Sequence, residues 1–284
     1  MSRVVVTGGS GKLGRAVVRE LLDHGWDVVN LDRVPPREEL CPFLRVDLTD
    51  YGQTVGALTA VDDRYDRVDA VAHLAAIPAP GLVPNTAVFG NNITSTHHVF
   101  SAARVAGIRN VVWASSETVL GLPFDTPPPY LPVDEEYPGR PESTYSLVKH
   151  LEEQLAVQLC RWDPELKMVG LRFSNVMEVA DYARFPSFDA DPKLRRWNLW
   201  SYIDARDGAQ AVRKGLEWDG AGTEVFVIAS PDSVMSTPSA ELAAAEFPGV
   251  EVGGGLGTHE SLMSTAKARR ILGYTPAHTW RNHV

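Results

Sequence analysis

A tyrosine and a lysine spaced four residues apart could move a proton in this chain. Tyr145 and Lys149 begin a stretch whose apolar residues continue at helical spacing, so both side chains are predicted on one helix face. A phenol with a pKa of about 10 is a poor base, but a neighbouring ammonium and a bound pyridinium would lower that pKa. Lowering it by roughly three corresponds to about 4 kcal/mol. The pair predicts an acid–base group for hydride transfer, with an ordinary surface pair as the alternative.

A glycine-rich turn near the N-terminus is the second chemical feature. A β-branched run over residues 4–6 predicts a strand, and helical periodicity begins near residue 12. Gly8 can adopt positive φ, Gly11 leaves space for phosphates to approach the backbone, and Gly14 lets the helix lie close to the strand. The helix N-terminus favours an anion. The predicted phosphate-binding residues are Gly8, Ser10, Gly11, Lys12, Leu13 and Gly14.

An acidic residue follows at the distance typical of dinucleotide-binding folds. Asp32 ends the next predicted strand, 24 residues after Gly8, and would hydrogen-bond the adenosine ribose. A carboxylate there would repel a 2′-phosphate, which favours NAD over NADP. Arg33 keeps NADP as an alternative cofactor, because a guanidinium could bind the 2′-phosphate or stack on adenine.

Composition narrows the class of protein. The chain has 284 residues, 44% of them hydrophobic, which is enough for a large core, and its net charge of −9 argues against a nucleic-acid partner. No apolar run approaches the roughly 18 residues that span a bilayer, and the first strand leaves no room for a signal peptide, so we expect a cytoplasmic enzyme with a small-molecule substrate. Cys41, Cys160 and the histidines show no metal-ligand spacing, and His73 is predicted to pack or to hydrogen-bond the backbone rather than catalyse.

Strand and helix signals alternate along the chain and predict a Rossmann-type α/β fold, a doubly wound parallel sheet with a small C-terminal substrate lobe. We expect residues 1–175 to form the NAD-binding domain with the catalytic residues, and 176–284 to supply the lobe plus a strand and helices that return to the sheet. The proline-rich segment 123–141 predicts a long ordered loop, and glycines in 253–257 a flexible connection, with a phosphate site as the alternative. Predicted strands cover 3–7, 27–31, 42–46, 68–74, 110–115, 168–173 and 224–229.

Motifs along almost the whole chain resemble those of the extended short-chain dehydrogenase/reductases, the NAD-dependent epimerase/dehydratase family. The order and spacing of these motifs together carry the resemblance. The matching segments are 7–14, 46–48, 73–76, 92–96, 115–121, 145–149, 171–176 and 264–276.

The resemblance implies roles for individual residues. Ser116, rather than its neighbour Ser115, would hold the substrate oxygen beside Tyr145, while Tyr145 and Lys149 would also contact the cofactor. Leu120 and Ser95 replace the tyrosine and glycine common in the family, but neither position carries a reacting group. The remaining implied cofactor residues are Asp47 and Leu48 at the adenine edge, Leu74, Ala75 and Ala76 after the fourth strand, and Asn92 on the helix that supports Lys149.

The resemblance also implies a homodimer. Helices near 86–107 and 143–162 carry more apolar positions than one core-facing stripe needs, and the family pairs these helices into a four-helix bundle.

The substrate half departs from relatives that act on nucleotide-linked sugars, which carry a longer segment with a basic motif. Here the spacing of Arg195, Trp200 and Asp204 resembles that of short uronate dehydrogenases, in which the arginine holds a carboxylate. We therefore expect Ser116, Asn175 and Arg195 to bind substrate. Tryptophan rings suit the apolar face of a sugar, although Trp197 and Trp200 could simply pack the lobe.

These observations predict an NAD-dependent oxidoreductase that exchanges a hydride with a small sugar-like or sugar-acid substrate, with Tyr145 as general acid/base. The first alternative is a nucleotide-sugar epimerase or dehydratase with tightly held NAD, which the short substrate segment disfavours. The second is a non-catalytic dinucleotide-binding protein, which the presence of both Tyr145 and Lys149 disfavours.

Overall fold

The computed structural model describes residues 2–59, 65 and 67–283. The strands are β1 Arg3–Thr7, β2 Asp27–Asp32, β3 Phe43–Arg45, β4 Ala70–His73, β5 Asn110–Ser116, β6 Tyr130–Leu131, β7 Lys167–Phe173, β8 Val176–Met177, β9 Ile203–Asp204, β10 Gly222–Ile228 and β11 Glu251–Val252. The α-helices are α1 Lys12–Asp23, α2 Tyr51–Leu58, α3 Asn85–Val105, α4 Thr144–Trp162, α5 Lys193–Arg196, α6 Ala205–Glu217, α7 Ser239–Glu246 and α8 Ala266–Leu272.

Seven of the strands form one parallel sheet in the order β10-β7-β5-β4-β1-β2-β3. The chain runs outward from β1 to β3 and then crosses back to β4 on the other side of β1. Loops leaving β1 and β4 therefore diverge at the carboxyl edge of the sheet, where open α/β folds bind ligands. This confirms the predicted Rossmann-type fold.

Helices cover both faces of the sheet because its strands are apolar on both sides. One core packs α1, α6 and α8 against the sheet, with Val17, Leu21 and Val212 fully buried. The other core packs α3 and α4, with Phe100 and Trp113 meeting edge to face. The tyrosine–lysine pair thus stands on a helix that is fixed along its length.

A third core forms a lobe beside the carboxyl edge. Aromatic side chains dominate it, and Tyr182, Phe185 and Tyr202 contact one another at ring-centroid distances of 5.2–6.0 Å. Its buried residues come from the loop region 120–137 as well as from the C-terminal half, and β10 returns from that half to the main sheet beside β7. The chain therefore passes back and forth between the main sheet and the lobe.

Several predicted boundaries need correction. The strand expected at 68–74 is Ala70–His73, and that expected at 42–46 is Phe43–Arg45, so the paired residues are fewer than the apolar runs predicted. The proline-rich loop contains β6, which pairs with β11 just before the glycine cluster, and Gly253 N–H continues that pairing to the Leu131 carbonyl at 2.8 Å. Among the described helices, none is long and apolar enough to cross a bilayer.

Candidate active site

A cavity of about 1480 Å³ opens at the carboxyl edge of the sheet. It extends from the glycine turn after β1 to the lobe, and its wall joins residues that are more than 180 positions apart in the chain, from Gly8 to Trp197. Most residues predicted to bind cofactor or substrate line this cavity. Those residues are Gly8, Ser10, Gly11, Lys12, Leu13, Gly14, Asp32, Arg33, Asp47, Leu48, Leu74, Ala75, Ala76, Ser116, Tyr145, Lys149 and Asn175.

The glycine turn has the geometry that its sequence predicts. Gly8 has φ +72°, and a Cβ there would lie 2.7 Å from the Ala75 nitrogen. At Gly14 a Cβ would lie 2.1 Å from the Gly8 carbonyl oxygen, so a side chain would separate α1 from the turn. Gly11 caps α1 without a side-chain hydrogen bond, which leaves the first amides of the helix facing the cavity. This cradle fits a pyrophosphate.

Asp32 stands beside the cradle at the end of β2. Its carboxylate accepts hydrogen bonds from the Ser10 amide at 3.1 Å and the Val34 amide at 3.2 Å. These contacts hold the carboxylate at the cavity wall, where ribose hydroxyls could bind it. Arg33 is exposed and approaches Asp47 at 4.0 Å, so its guanidinium is not committed to a strong partner.

The tyrosine, lysine and Ser116 meet at the far end of the cradle. Tyr145 and Lys149 lie in the first two turns of α4, with the Lys149 ammonium 5.9 Å from the centre of the Tyr145 ring. Ser116 ends β5, and its hydroxyl accepts hydrogen bonds from the Thr118 amide and hydroxyl. Its own proton can therefore be donated to the Tyr145 oxygen. Ser115 instead donates to Glu153 at 2.6 Å.

The Lys149 charge by itself does not bring the pKa of Tyr145 below its usual value. Burial raises this pKa, and the opposing effect of Lys149 does not overcome it in the protein alone. The lowering expected from the sequence therefore depends on the positive charge of a bound pyridinium. For Lys149, burial disfavours the ammonium, but the charges of Glu152, Tyr145 and Glu153 and the hydrogen bond to Glu152 together raise the lysine pKa.

Glu117 is a functional candidate that the sequence did not reveal. It is only 3% exposed, yet it lines the cavity next to Ser116, and its carboxyl accepts a hydrogen bond from Ser174 at 2.5 Å. Burial raises its pKa to about 7, against the lowering effects of Ser174 and Arg195. In the sequence, only the position of Glu117 directly after Ser116 indicated a role in the site. No neighbouring residue type predicted that its side chain is buried.

Arg195 stands behind the cavity wall. It is 6% exposed and does not line the cavity; its guanidinium donates to Asn175 Oδ1 at 2.9 Å and to the Ser201 carbonyl at 2.8 Å. Its Nε has no hydrogen-bond partner among the described residues. Because the Asn175 oxygen accepts from Arg195, the Asn175 amide nitrogen is the atom left to face the cavity. Arg195 thus orients the asparagine that lines the site.

The two tryptophans have different positions. Trp200 is fully buried in the lobe, where its indole N–H donates to the Pro192 carbonyl at 2.8 Å. Trp197 lines the cavity, with the Arg195 guanidinium 5.0 Å from its ring centre. Trp200 thus packs the interior of the lobe, whereas Trp197 presents an aromatic surface to the cavity. Asp204 is buried beside Tyr182 and Arg206 rather than in the cavity.

Asn92 is the predicted cofactor residue that the cavity does not include. It is fully buried on α3, and its side-chain amide pairs with both backbone groups of Ile77, at 2.8 and 3.0 Å. It therefore fixes the loop after β4, whose residues Leu74, Ala75 and Ala76 line the cavity. Within the described parts of the chain, no cluster of three or more His, Cys, Asp or Glu residues could hold a metal ion.

Comparison with known proteins gives a family match. The model of the NAD dependent epimerase/dehydratase family matches residues 4–189. UDP-glucose 4-epimerase of Drosophila melanogaster is 31% identical over 222 residues, which cover 70% of this chain and 59% of that enzyme. The match thus spans less than two thirds of the relative's length.

Solved structures give the same fold. The crystal structure of a UDP-galactose 4-epimerase is 25% identical, with a TM-score of 0.70, and the alignment covers 98% of this chain and 94% of that one. A mutated uronate dehydrogenase aligns with a TM-score of 0.68 and 22% identity, covering 99% of this chain and 83% of that chain. At that identity the likeness concerns the fold alone.

Proposed function

Because the chain belongs to the NAD dependent epimerase/dehydratase family, we propose that it is an NAD-dependent oxidoreductase acting on a small sugar-like or sugar-acid substrate. One observation carries the proposal: a pyrophosphate cradle and a buried Ser116, Tyr145 and Lys149 cluster share one cavity. In this proposal residues 1–175 bind the cofactor and carry the chemistry, and residues 176–284 add the substrate lobe.

NAD supplies a hydride acceptor when it is bound, and its pyrophosphate would lie in the cradle from Gly8 to Gly14. Asp32 would bind the ribose hydroxyls and disfavour a 2′-phosphate. Asp47 and Leu48 would border the adenine, and Leu74 to Ala76 would border the rest of the cofactor. Calorimetric titration should give a lower Kd for NAD than for NADP, and Asp32→Ala should narrow the difference. Tighter binding of NADP by the unchanged protein would show that Arg33 determines the choice.

Proton transfer is assigned to the cluster at the other end of the cavity. In the oxidation direction, Tyr145 takes the proton of the substrate hydroxyl as the hydride leaves the carbon that bears this hydroxyl. In the reduction direction, Tyr145 gives a proton to the carbonyl oxygen. Ser116 holds the substrate oxygen next to the phenol, and the Lys149 ammonium favours the phenolate. Asn175, oriented by Arg195, and the Trp197 ring would bind the remainder of the substrate.

An assay with a substrate panel tests the activity. The chain is incubated with NAD and a series of uronic acids, neutral sugars, hydroxy acids and nucleotide sugars, and NADH absorbance is followed. A steady rise with at least one acid or free sugar supports the dehydrogenase. Absence of any rise, together with conversion of a nucleotide sugar, would contradict it.

A 4-epimerase is the second candidate, and the match to UDP-glucose 4-epimerases favours it. In that reaction the hydride returns to the same molecule, so no NADH is released. Purification without added NAD, followed by denaturation and chromatography of the released nucleotide, separates the two candidates. Stoichiometric retained NAD is expected for the epimerase and substoichiometric NAD for the dehydrogenase.

We also propose that the protein is a homodimer that pairs α3 and α4. Large apolar side chains remain exposed on these helices, including Phe89 at 39%, Val157 at 41% and Trp162 at 57%. A four-helix bundle between two copies would bury such surface. Light scattering at micromolar concentration should give twice the chain mass, and Val157→Glu should shift the protein to a monomer. A monomeric mass for the unchanged protein would refute this pairing.

A further inference from the structure

A buried carboxylate that does not line the cavity binds the lysine that does. Glu152 follows Lys149 by three residues on α4, and its Oε2 lies 2.9 Å from the Lys149 ammonium. The side chains of the two residues are only 0% and 4% exposed, respectively. In such a place an ion pair is screened far less than at a surface.

Lys149 uses two of its three N–H groups on fixed acceptors. One N–H goes to Glu152 and another to the Ala114 carbonyl at 2.8 Å. An ammonium has three donors, so one remains for the cavity that Lys149 lines. Glu152 thereby determines where the ammonium stands and in which direction its free donor points.

A hydrogen-bond chain continues from Glu152 through the protein interior to the glycine turn. Thr96 on α3 donates to Glu152 Oε1 at 3.0 Å, and Thr96 Oγ1 lies 3.1 Å from His73 Nε2. His73 Nδ1 in turn lies 2.7 Å from the Thr7 hydroxyl. Thr7 is the last residue of β1, and its oxygen accepts the amides of Leu74 and Ala75, which line the cavity.

The carboxylate sets the direction of every bond in this chain. An ionised Glu152 only accepts, so the Thr96 proton points to Glu152 and Thr96 must accept from His73 Nε2–H. His73 Nδ1 then accepts from Thr7. Burial lowers the pKa of His73 to about 3, assisted by the Lys149 charge, so the ring is neutral and only one nitrogen carries a proton. The chain requires that nitrogen to be Nε2.

We infer that Glu152 is a positioning residue of the proton-transfer site, which anchors the Lys149 ammonium and reduces the positive charge that Tyr145 experiences. The inference rests on the proposed function. Titratable groups face this cluster from each surrounding element: His73 on β4, Glu117 after β5, and Tyr145, Lys149, Glu152 and Glu153 on α4; α3 contributes the hydroxyl of Thr96.

The consequence for Tyr145 has a definite sign. Burial is the largest cause that raises the tyrosine pKa, Lys149 lowers it, and Glu152 raises it again. Removing the Glu152 charge while keeping the side-chain shape should therefore let Tyr145 ionise at lower pH. In the oxidation direction the active form is the phenolate, so the rise of kcat with pH should also move to lower pH.

The first test reads the hydrogen-bond chain without any assay of activity. In NAD-loaded protein labelled with ¹⁵N, the His73 ring should carry its proton on Nε2. In Glu152→Gln, the amide oxygen should turn to Lys149 and the amide nitrogen to Thr96, whose hydroxyl then donates to His73 and moves the ring proton to Nδ1. An Nδ1–H tautomer in the unchanged protein, or an unchanged tautomer in the variant, would overturn the inference.

The second test reads the ionisation of Tyr145. Phenolate absorbance is titrated in the NAD-loaded protein and in Glu152→Gln, each against the same protein carrying Tyr145→Phe. The midpoint should fall by about one pH unit in Glu152→Gln, and the kcat profile should shift alike. An equal midpoint would overturn the inference, whereas full hydride transfer by Tyr145→Phe would instead overturn the proposed function.

Glu153→Gln is the matched control, because it makes the same change at the next residue, which is also buried. Glu153 binds Arg172 and Ser115 rather than Lys149. This variant should lose stability but keep the Nε2–H tautomer and a Tyr145 midpoint close to the original. Thr96→Val is the second variant: it interrupts the chain beyond Glu152, so it should change the His73 environment and leave the Tyr145 midpoint unchanged.

Discussion

At the residue scale, the end of the cavity next to the lobe depends on how buried charges are balanced. Arg195 and Glu117 are both almost fully buried, and each shifts the pKa of the other toward its charged form. Even so, burial lowers the pKa of Arg195 to about 10 and raises that of Glu117 to about 7. The charges of the two side chains therefore compensate each other only in part, and Asn175 lies between Arg195 and the cavity.

Arg195→Ala tests how this arginine acts. We expect KM for an acid substrate to rise roughly 30-fold, about 2 kcal/mol, with little change in NAD affinity, because Asn175 loses the charge-assisted hydrogen bond that orients it. If Arg195 acts by orienting Asn175, the effects of Arg195→Ala and Asn175→Ala on kcat/KM will not add in the double variant. Additive effects would show that the arginine binds the substrate independently, and wild-type kinetics would exclude both roles.

Glu117 gives a prediction for stability against pH. Its pKa is about 7 in the folded protein and 4.5 in the reference state, so the folded state binds more protons between these values. Stability should therefore fall as pH rises through this window, by up to about 3 kcal/mol from this group. Denaturant unfolding at about pH 5 and about pH 8 measures the change. Glu117→Gln should abolish this part of the dependence, and an unaltered pH dependence would refute the assignment.

At the element scale, the cradle requires close contact between β1, its turn and α1. Gly14→Ala would place a Cβ 2.1 Å from the Gly8 carbonyl, where only backbone could give way. We expect loss of measurable NAD binding in calorimetry and a clear loss of stability. Gly56→Ala is the control, because nothing lies within 4 Å of its added Cβ on α2; it should leave binding intact and stabilise the protein by up to about 1 kcal/mol. Normal NAD affinity in Gly14→Ala would contradict the cradle.

Local sequence patterns predict the elements around the cradle. The strands around the cradle are short β-branched or apolar runs followed by glycine or aspartate, and such local signals predicted β1, β2 and the turn between them. The helix α4 was predicted from i, i+4 spacing, and Ser143 at its N-terminus forms a capping box with Ser146. Local sequence therefore predicts the elements that position Tyr145 and Lys149.

Contacts between distant residues account for what the sequence did not reveal. Glu152 and Glu153 look like solvated helix positions, but α3 covers the first and β7 supplies Arg172 to the second. Likewise, Asn175 reaches Arg195 only because the lobe folds 20 residues of chain back on itself. The charge of a buried group depends on these partners, so no local pattern could assign it.

At the scale of the whole molecule, the glycine cradle, the cluster of Ser116, Tyr145 and Lys149, and the lobe converge from different parts of the chain. Two ion pairs connect the cradle to the lobe: Lys12 with Asp181 and Arg15 with Glu178, both at 2.7 Å. Their side chains are partly exposed, so each contributes little to stability, but together they align the lobe with the turn. The cavity is thus shared between both halves of the chain.

Hydride transfer that depends on Tyr145 is the central claim, and a single comparison tests it most directly. The unchanged protein and Tyr145→Phe are incubated with NAD and the best substrate of the panel, and the initial rate of NADH formation is measured. We predict a fall in kcat of at least about 100-fold in the variant, with NAD affinity nearly unchanged, because the phenol transfers the proton and adds little to cofactor binding. A variant that keeps more than about a tenth of the kcat would contradict the account, because removing the group that transfers the proton should lower kcat by more than that.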